Sequence, residues 1–232
     1  MATRSNFLQN IPPATRNLLF VNVLMFIATL IATGFQPGKT DEIDIITRLF
    51  ALYPPYVRGF RLWQPITHMF VHVDFWHILF NMYALVMFGT IVEQVLGAKR
   101  FLILYFVSGL GAAALQTFAE WLSVFVFGVG YLSLSMGASG AIYGILVAFA
   151  MLYPHVKMTL LFPPVTLEAK WMVLIFIGLE LLLGFFEPQW TLTQVQASET
   201  AVGVAHFAHL GGALFGFLLV LFWRKTGKLW RR

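Results

Sequence analysis

Ser139 stands between Gly137 and Gly140 in "SMGASGAIYGILVAFAMLY", where a small polar stretch turns into an almost wholly apolar run. A serine hydroxyl becomes a useful nucleophile only beside a general base. His209 is the candidate base: in "AHLGGALFG" it also stands at the head of an apolar run, just before a glycine-rich stretch. His77 and Asn81 are spaced i, i+4 and share one helix face. With the Ser139 backbone N–H they could donate hydrogen bonds to a tetrahedral oxyanion, the charge that develops when an acyl carbon is attacked. Tyr143, one turn after Ser139, could stack on His209 and fix its ring. The competing reading of Ser139 and its glycines is close helix packing without chemistry.

Composition assigns the elements carrying these residues to a membrane. Of 232 residues, 59% are hydrophobic and 11% charged, against roughly 25% charged in soluble domains. A membrane helix takes about 17–25 mainly apolar residues, and six runs qualify or come close: 17–34, 75–96, 101–118, 139–153, 171–186 and 204–223. The run "WLSVFVFGVGYLSL" at 121–134 reads as a loop dipping into the interface, with a seventh helix as the alternative. Eleven of the 15 Lys and Arg residues fall before the first run, between the second and third, between the fourth and fifth, or after the sixth. An even six-span count puts all of them on one side, and the positive-inside rule makes that side cytoplasmic, with both termini. The net charge of +5 is thus used for topology, and nucleic acid is not expected as a partner. The absence of cysteine excludes disulfides and thiol catalysis.

The expected organisation is a cytoplasmic segment 1–16 without a cleaved signal peptide, a six-helix membrane domain 17–223 and a basic cytoplasmic tail 224–232. The first loop, 35–74, is long and rich in Pro, Gly and aromatics, and reads as a structured piece in the outer headgroup region. The polar stretch before the sixth run, "EPQWTLTQVQASETAVG", is a candidate lid; with the short, aromatic-rich fifth run it could form a gate.

In this orientation the second, fourth and sixth runs start at the outer face. His77, Asn81, Ser139, His206 and His209 then lie in the first two turns of three different helices, all in the outer half of the bilayer. The fourth run spans only about 22 Å against a hydrocarbon core of about 30 Å, which puts Ser139 about 10 Å beneath the outer surface. A helix that begins inside a membrane has first-turn N–H groups without intrahelical acceptors, a natural site for negative charge. Gly140 and Gly144 form one G-x-x-x-G pair and Gly212 and Gly216 another. The fourth and sixth helices therefore each carry a small-residue groove, and packing groove to groove would bring the serine to the imidazole. Neither run contains an Asp or Glu to orient His209, so the expected unit is a Ser–His dyad. Glu180, in the middle of the fifth run, marks either a hydrated cleft or a structural hydrogen bond. His206 reads as an interfacial packing residue or a partner of His209. His68, His72 and Asp74 offer a polar route for water. The histidine spacing is not a compact ligand set, so neither metal nor other cofactor is expected.

In these motifs the chain resembles the rhomboid intramembrane serine proteases. "GASG" matches the family's G-x-S-G, "HVDFWHILFN" its H-x-x-x-x-H-x-x-x-N, and "AHLGGALFG" its histidine helix and glycine pair. The resemblance covers nearly the whole chain. It implies an all-α membrane protein, a six-transmembrane-helix bundle with a long first extracytoplasmic loop. The implied activity is that of an intramembrane serine endopeptidase that hydrolyses transmembrane-segment substrates near the outer face. Carried over by position, Ser139 is the nucleophile and His209 the base. Gly137, His77 and Asn81 assist the oxyanion, and Tyr143 supports the histidine. Glu93 and Gly97 match a family pattern and look structural. The implied partners are transmembrane protein substrates and membrane lipids, in a bacterial cytoplasmic membrane. One departure is Trp63-Gln64, where many members have Trp-Arg. Two rival readings stand beside the protease. One is a non-catalytic rhomboid-like protein that binds membrane segments. The other is a small transporter, which predicts inverted repeats or acidic residues at mid-membrane; only Glu180 fits.

Overall fold

A proline pair starts the first helix. Pro13 sits at the first turn, where its locked φ suits a helix and its missing N–H costs nothing. The next two N–H groups, of Ala14 and Thr15, donate to the Glu93 carboxylate at 2.9 and 2.6 Å, and the Thr15 hydroxyl donates to it at 2.7 Å. A buried acid at a helix N-terminus is doubly matched, by hydrogen bonds and by the helix dipole. That bond set ties the first helix to the second long one.

The computed structural model describes residues 10–35, 44–128, 134–159, 164–186 and 205–227. Its helices are α1 (Pro13–Ala32), α2 (Ile45–Phe50), α3 (Gln64–Thr67), α4 (Phe75–Leu96, with a π turn at Leu85–Gly89), α5 (Ala98–Phe125), α6 (Ser139–Leu152), α7 (Ala169–Phe186) and α8 (His206–Lys225). A small antiparallel hairpin, β1 (Lys157–Thr159) and β2 (Thr166–Glu168), joins α6 to α7. Among the described residues, α1, α4, α5 and α8 are long and apolar enough to cross a membrane. The chain is an all-α, multi-pass membrane protein; among the described residues the β structure is that hairpin and an isolated Leu52–Ser135 bridge. The apolar helix α6 has only 14 residues, and the apolar α7 has 18.

Two boundaries differ most from the expectation. Helix α1 begins at Pro13, because the Glu93 carboxylate supplies the acceptors its first turn lacks. Helix α5 runs on to Phe125, so the run that begins at Trp121 starts inside a helix and not in a loop. No Gly or Pro interrupts the chain between Ala112 and Gly128, and nothing local stops the helix earlier. The candidate lid before α8 lies outside the described residues.

Helix α8 packs chiefly against α5 and α6. Glycine makes these contacts possible. A Cβ on Gly212 would overlap the Gly140 carbonyl, and one on Gly216 would lie 2.6 Å from the Gly144 Cα. A Cβ on Gly144 would run into the Ser108 side chain of α5, and one on Gly140 into the Ala112 methyl. The two G-x-x-x-G pairs thus face each other across the α6–α8 contact, with α5 closing the third side. Beside this seam Phe101, Leu104, Tyr105 and Ile145 are fully buried. Outward positions such as Leu24, Ile31, Leu182 and Phe185 are half exposed or more and form the lipid-facing surface.

Gly212→Ala should therefore destabilise the bundle by about 1–3 kcal/mol or more, since backbone and not a flexible side chain must give way. Gly178, in α7, has nothing within 4 Å of its would-be Cβ. Gly178→Ala should be neutral or slightly stabilising. Thermal melts of both variants in detergent check the contrast.

Candidate active site

Ser139 is the first residue of α6. The chain reaches it through Gly137, whose φ of +119° is a conformation L side chains rarely adopt. A Cβ at Gly137 would lie 2.6 Å from the His77 Nε2. The glycine is needed twice, for the turn and for the imidazole packed against it. The Gly137 N–H donates to the His68 carbonyl at 2.9 Å, which anchors the turn to the first loop.

His77 is placed by a helix cap. Asp74 is the N-cap of α4, and its carboxylate accepts the His77 N–H at 2.9 Å. One turn on, the Asn81 side-chain N–H donates to the His77 carbonyl at 2.9 Å. His209 is placed by the α6–α8 seam. Gln116 of α5 helps hold the start of α8, its side-chain oxygen accepting the Ala208 N–H at 3.2 Å.

These elements converge on one cavity of about 570 Å³. Ser139, His209, His77, Asn81, Gly137 and Tyr143 all line it. The His209 Nε2 lies 2.7 Å from the Ser139 Oγ, hydrogen-bond distance for proton transfer. The Tyr143 ring stacks on the His209 ring, with centroids 4.5 Å apart and planes 11° from parallel.

The far side of the imidazole departs from the expectation of an isolated dyad. Glu180, from α7, brings its Oε1 to 2.9 Å from the His209 Nδ1. The distance is that of an ion pair, with the N–H directed off the line to the oxygen. The same Oε1 accepts the Tyr143 hydroxyl at 2.5 Å, and the Oε2 lies 2.5 Å from the His206 Nδ1. His206 thus turns to Glu180, with its ring centroid 6.5 Å from that of His209. Helices α6 and α8 carry no acid of their own; the carboxylate comes from a third helix, α7. The Glu180, His206 and His209 donor atoms lie within 4.8 Å of one another, a spacing that could hold a divalent cation. Here both imidazoles contact the Glu180 carboxylate directly.

A model of the Rhomboid domain family matches residues 59–226, most of the chain and all of the cavity residues. The chain belongs to the rhomboid family. It is 33% identical over 156 residues to Rhomboid protein 1, mitochondrial, of Saccharomyces cerevisiae, covering 64% of this chain and 38% of that protein. Presenilin-associated rhomboid-like protein A, mitochondrial, of Danio rerio is 32% identical over 171 residues, 69% of this chain and 38% of its own length. Rhomboid protease AarA of Providencia stuartii is 24% identical over 210 residues, 88% of this chain and 70% of its own. The chain thus spans well under half the length of the first two of these rhomboid relatives.

At the departure Trp63-Gln64, Gln64 is fully buried and organises the first loop of this rhomboid chain. Its side-chain oxygen accepts the N–H groups of Tyr53 and Arg61 at 3.3 and 3.1 Å, and its amide donates to the Gly59 carbonyl at 3.2 Å. Sequence reasoning missed this role, and that of Gln116. The signal for both was a polar amide among apolar neighbours, which needs partners when buried.

Two loop histidines set a pH limit. Burial pushes the His68 pKa down to about 4 and that of His72 to about 3. Both bind a proton more readily unfolded, near the ordinary value of about 6.5. Their neutral folded form is therefore fully supported above about pH 6.5, and stability is lost as pH falls toward 4. The melting temperature in detergent should fall across that window; a flat profile there would contradict burial of these rings.

Proposed function

We propose that this chain is a serine endopeptidase that hydrolyses peptide bonds of transmembrane-segment substrates, near the outer face of a bacterial cytoplasmic membrane. The observation that carries the reading is the 2.7 Å contact between the Ser139 Oγ and the His209 Nε2, on a ring stacked by Tyr143. Rhomboid membership and a relative whose name reads "Rhomboid protease" support it.

Ser139 is the nucleophile. Its Oγ attacks the scissile carbonyl carbon while its proton passes to the His209 Nε2. The carbonyl oxygen becomes an oxyanion, held by the first-turn N–H groups of α6, His77 and Asn81. Gly137 keeps the His77 imidazole next to that position. Collapse breaks the C–N bond, and the amine leaves with the proton from His209. Water, deprotonated by the same imidazole, then releases the acyl fragment and restores Ser139. Substrate enters between α4 and α7. Trp76 and Phe80 of α4 and Phe176 of α7 line the cavity there. The reading keeps six membrane crossings and cytoplasmic termini, which the distribution of Lys and Arg supports.

The test uses the purified full chain in proteoliposomes with a fluorescent membrane-segment substrate. Ser139→Ala and His209→Ala should each lower turnover by on the order of 10³-fold or more. Equal turnover in all three proteins would overturn the reading, and retained substrate binding without cleavage in any of them would favour the binding-protein alternative. A serine-reactive phosphonate should label the unmodified chain and not Ser139→Ala. Asn81→Ala should lower kcat about 10²-fold with little change in KM, the cost of one lost oxyanion donor.

A further inference from the structure

A carboxylate in an apolar membrane helix is costly and is retained where it has partners and a task. Glu180 has three partners in view: the Tyr143 hydroxyl, the His206 Nδ1 and the His209 Nδ1. Two of the three belong to the cavity that holds Ser139. The carboxylate is about one-eighth exposed, as is His209, so bulk water does little to screen either. Glu180 touches the ring nitrogen opposite Ser139.

The structure assigns Glu180 as a positioning residue for the reaction, the third member of a Ser139–His209–Glu180 triad whose carboxylate is delivered by α7. The inference rests on the peptidase reading above. An ionised Glu180 can only accept, so the His209 Nδ1 carries the proton and its Nε2 presents a lone pair to the Ser139 Oγ–H. When His209 takes the serine proton it becomes a cation at 2.9 Å from an anion, in a poorly hydrated site. That pairing exists only after proton transfer, so it favours the transition state over the ground state. The off-line geometry of the Nδ1 contact is common before substrate binds and tightens as charge develops. Glu180 also orients the stacking ring, since Tyr143 donates to the same Oε1. His206 holds the other oxygen and so fixes the rotation of the carboxylate.

Several other groups surround the base. Tyr143 faces it from α6, His77 approaches from α4, and His206 lies on its own helix. From α5 come Gln116, at the Ala208 N–H, and Glu120, bonded to Gln116. Of these groups, Glu180 is the acid in contact with the imidazole.

Glu180→Gln is the informative variant. A glutamine amide can present a donor to Nδ1 and force the other tautomer, which in a soluble serine-protease triad costs about 10⁴-fold in kcat. With Tyr143 still stacked, the expected loss is about 10²-fold or more in kcat, with KM within about threefold. The second-order rate of Ser139 labelling by a phosphonate should fall in parallel, a readout that needs no membrane substrate. Nitrogen NMR of histidine-labelled, unmodified protein gives a check that requires no variant to fold. His209 should be protonated at Nδ1 and bare at Nε2 in its neutral form. An Nε2-protonated His209 would sink the assignment. So would a folded Glu180→Gln chain with unchanged kcat and labelling rate while Ser139→Ala is inactive; that result leaves the peptidase standing. Equal turnover in unmodified protein and Ser139→Ala would remove both.

Discussion

The active-site geometry depends on how closely α6 and α8 approach. Gly212 lies against the Gly140 carbonyl and Gly216 against Gly144, with no room for a side chain at either crossing. In lipid there is little hydrophobic gain from helix association, and close backbone packing is what replaces it. The same crossing sets the position of the first turns of both helices. Ser139 is one residue before Gly140, and His209 three before Gly212. The 2.7 Å between their side chains follows from the seam beneath them. Packing and chemistry are therefore one design.

Around that seam, polar side chains act as fasteners, each satisfying backbone groups that lipid cannot. Glu93 takes the free N–H groups of α1, Asp74 caps α4, Gln116 holds the start of α8, and Gln64 gathers the first loop. An unpaired buried polar group in a membrane costs several kcal/mol, so each fastener also specifies a single arrangement. The first loop reaches the site through the His68 carbonyl, which accepts the Gly137 N–H beside Ser139.

Helix α7 has two roles in the proposed reaction. Its Phe176 lines the cavity, and its Glu180 contacts His209 on the side away from Ser139. A displacement of α7 that admits a substrate would also move the carboxylate, and would thereby couple access to the proposed activation of His209. The outward face of α7 is apolar and half exposed, while Phe176 and Ile177 pack on the core and Glu180 holds the site.

The sequence by itself determined the solvent, the chemistry-bearing residues and the packing surface. An apolar fraction of 59% demands lipid. The i, i+4 pairs and G-x-x-x-G spacings are local, so helical periodicity is enough to place His77 with Asn81, and Ser139 with its glycines. Helix existence was legible for the same reason; helix ends were less so. The start of α1 depends on Glu93, 79 positions from Ala14, and the extent of α5 on the lack of any local stop. Only the tertiary structure decided what stands behind His209. Glu180 lies on a different helix from both Ser139 and His209, 37 positions from Tyr143 and 26 from His206. The sequence marked it as costly but left its partner open, because which side chains meet across helices is set by crossing angle and depth, not by spacing along the chain. The same holds for Gln64 and Gln116: their types announced a need for partners, and the fold supplied them.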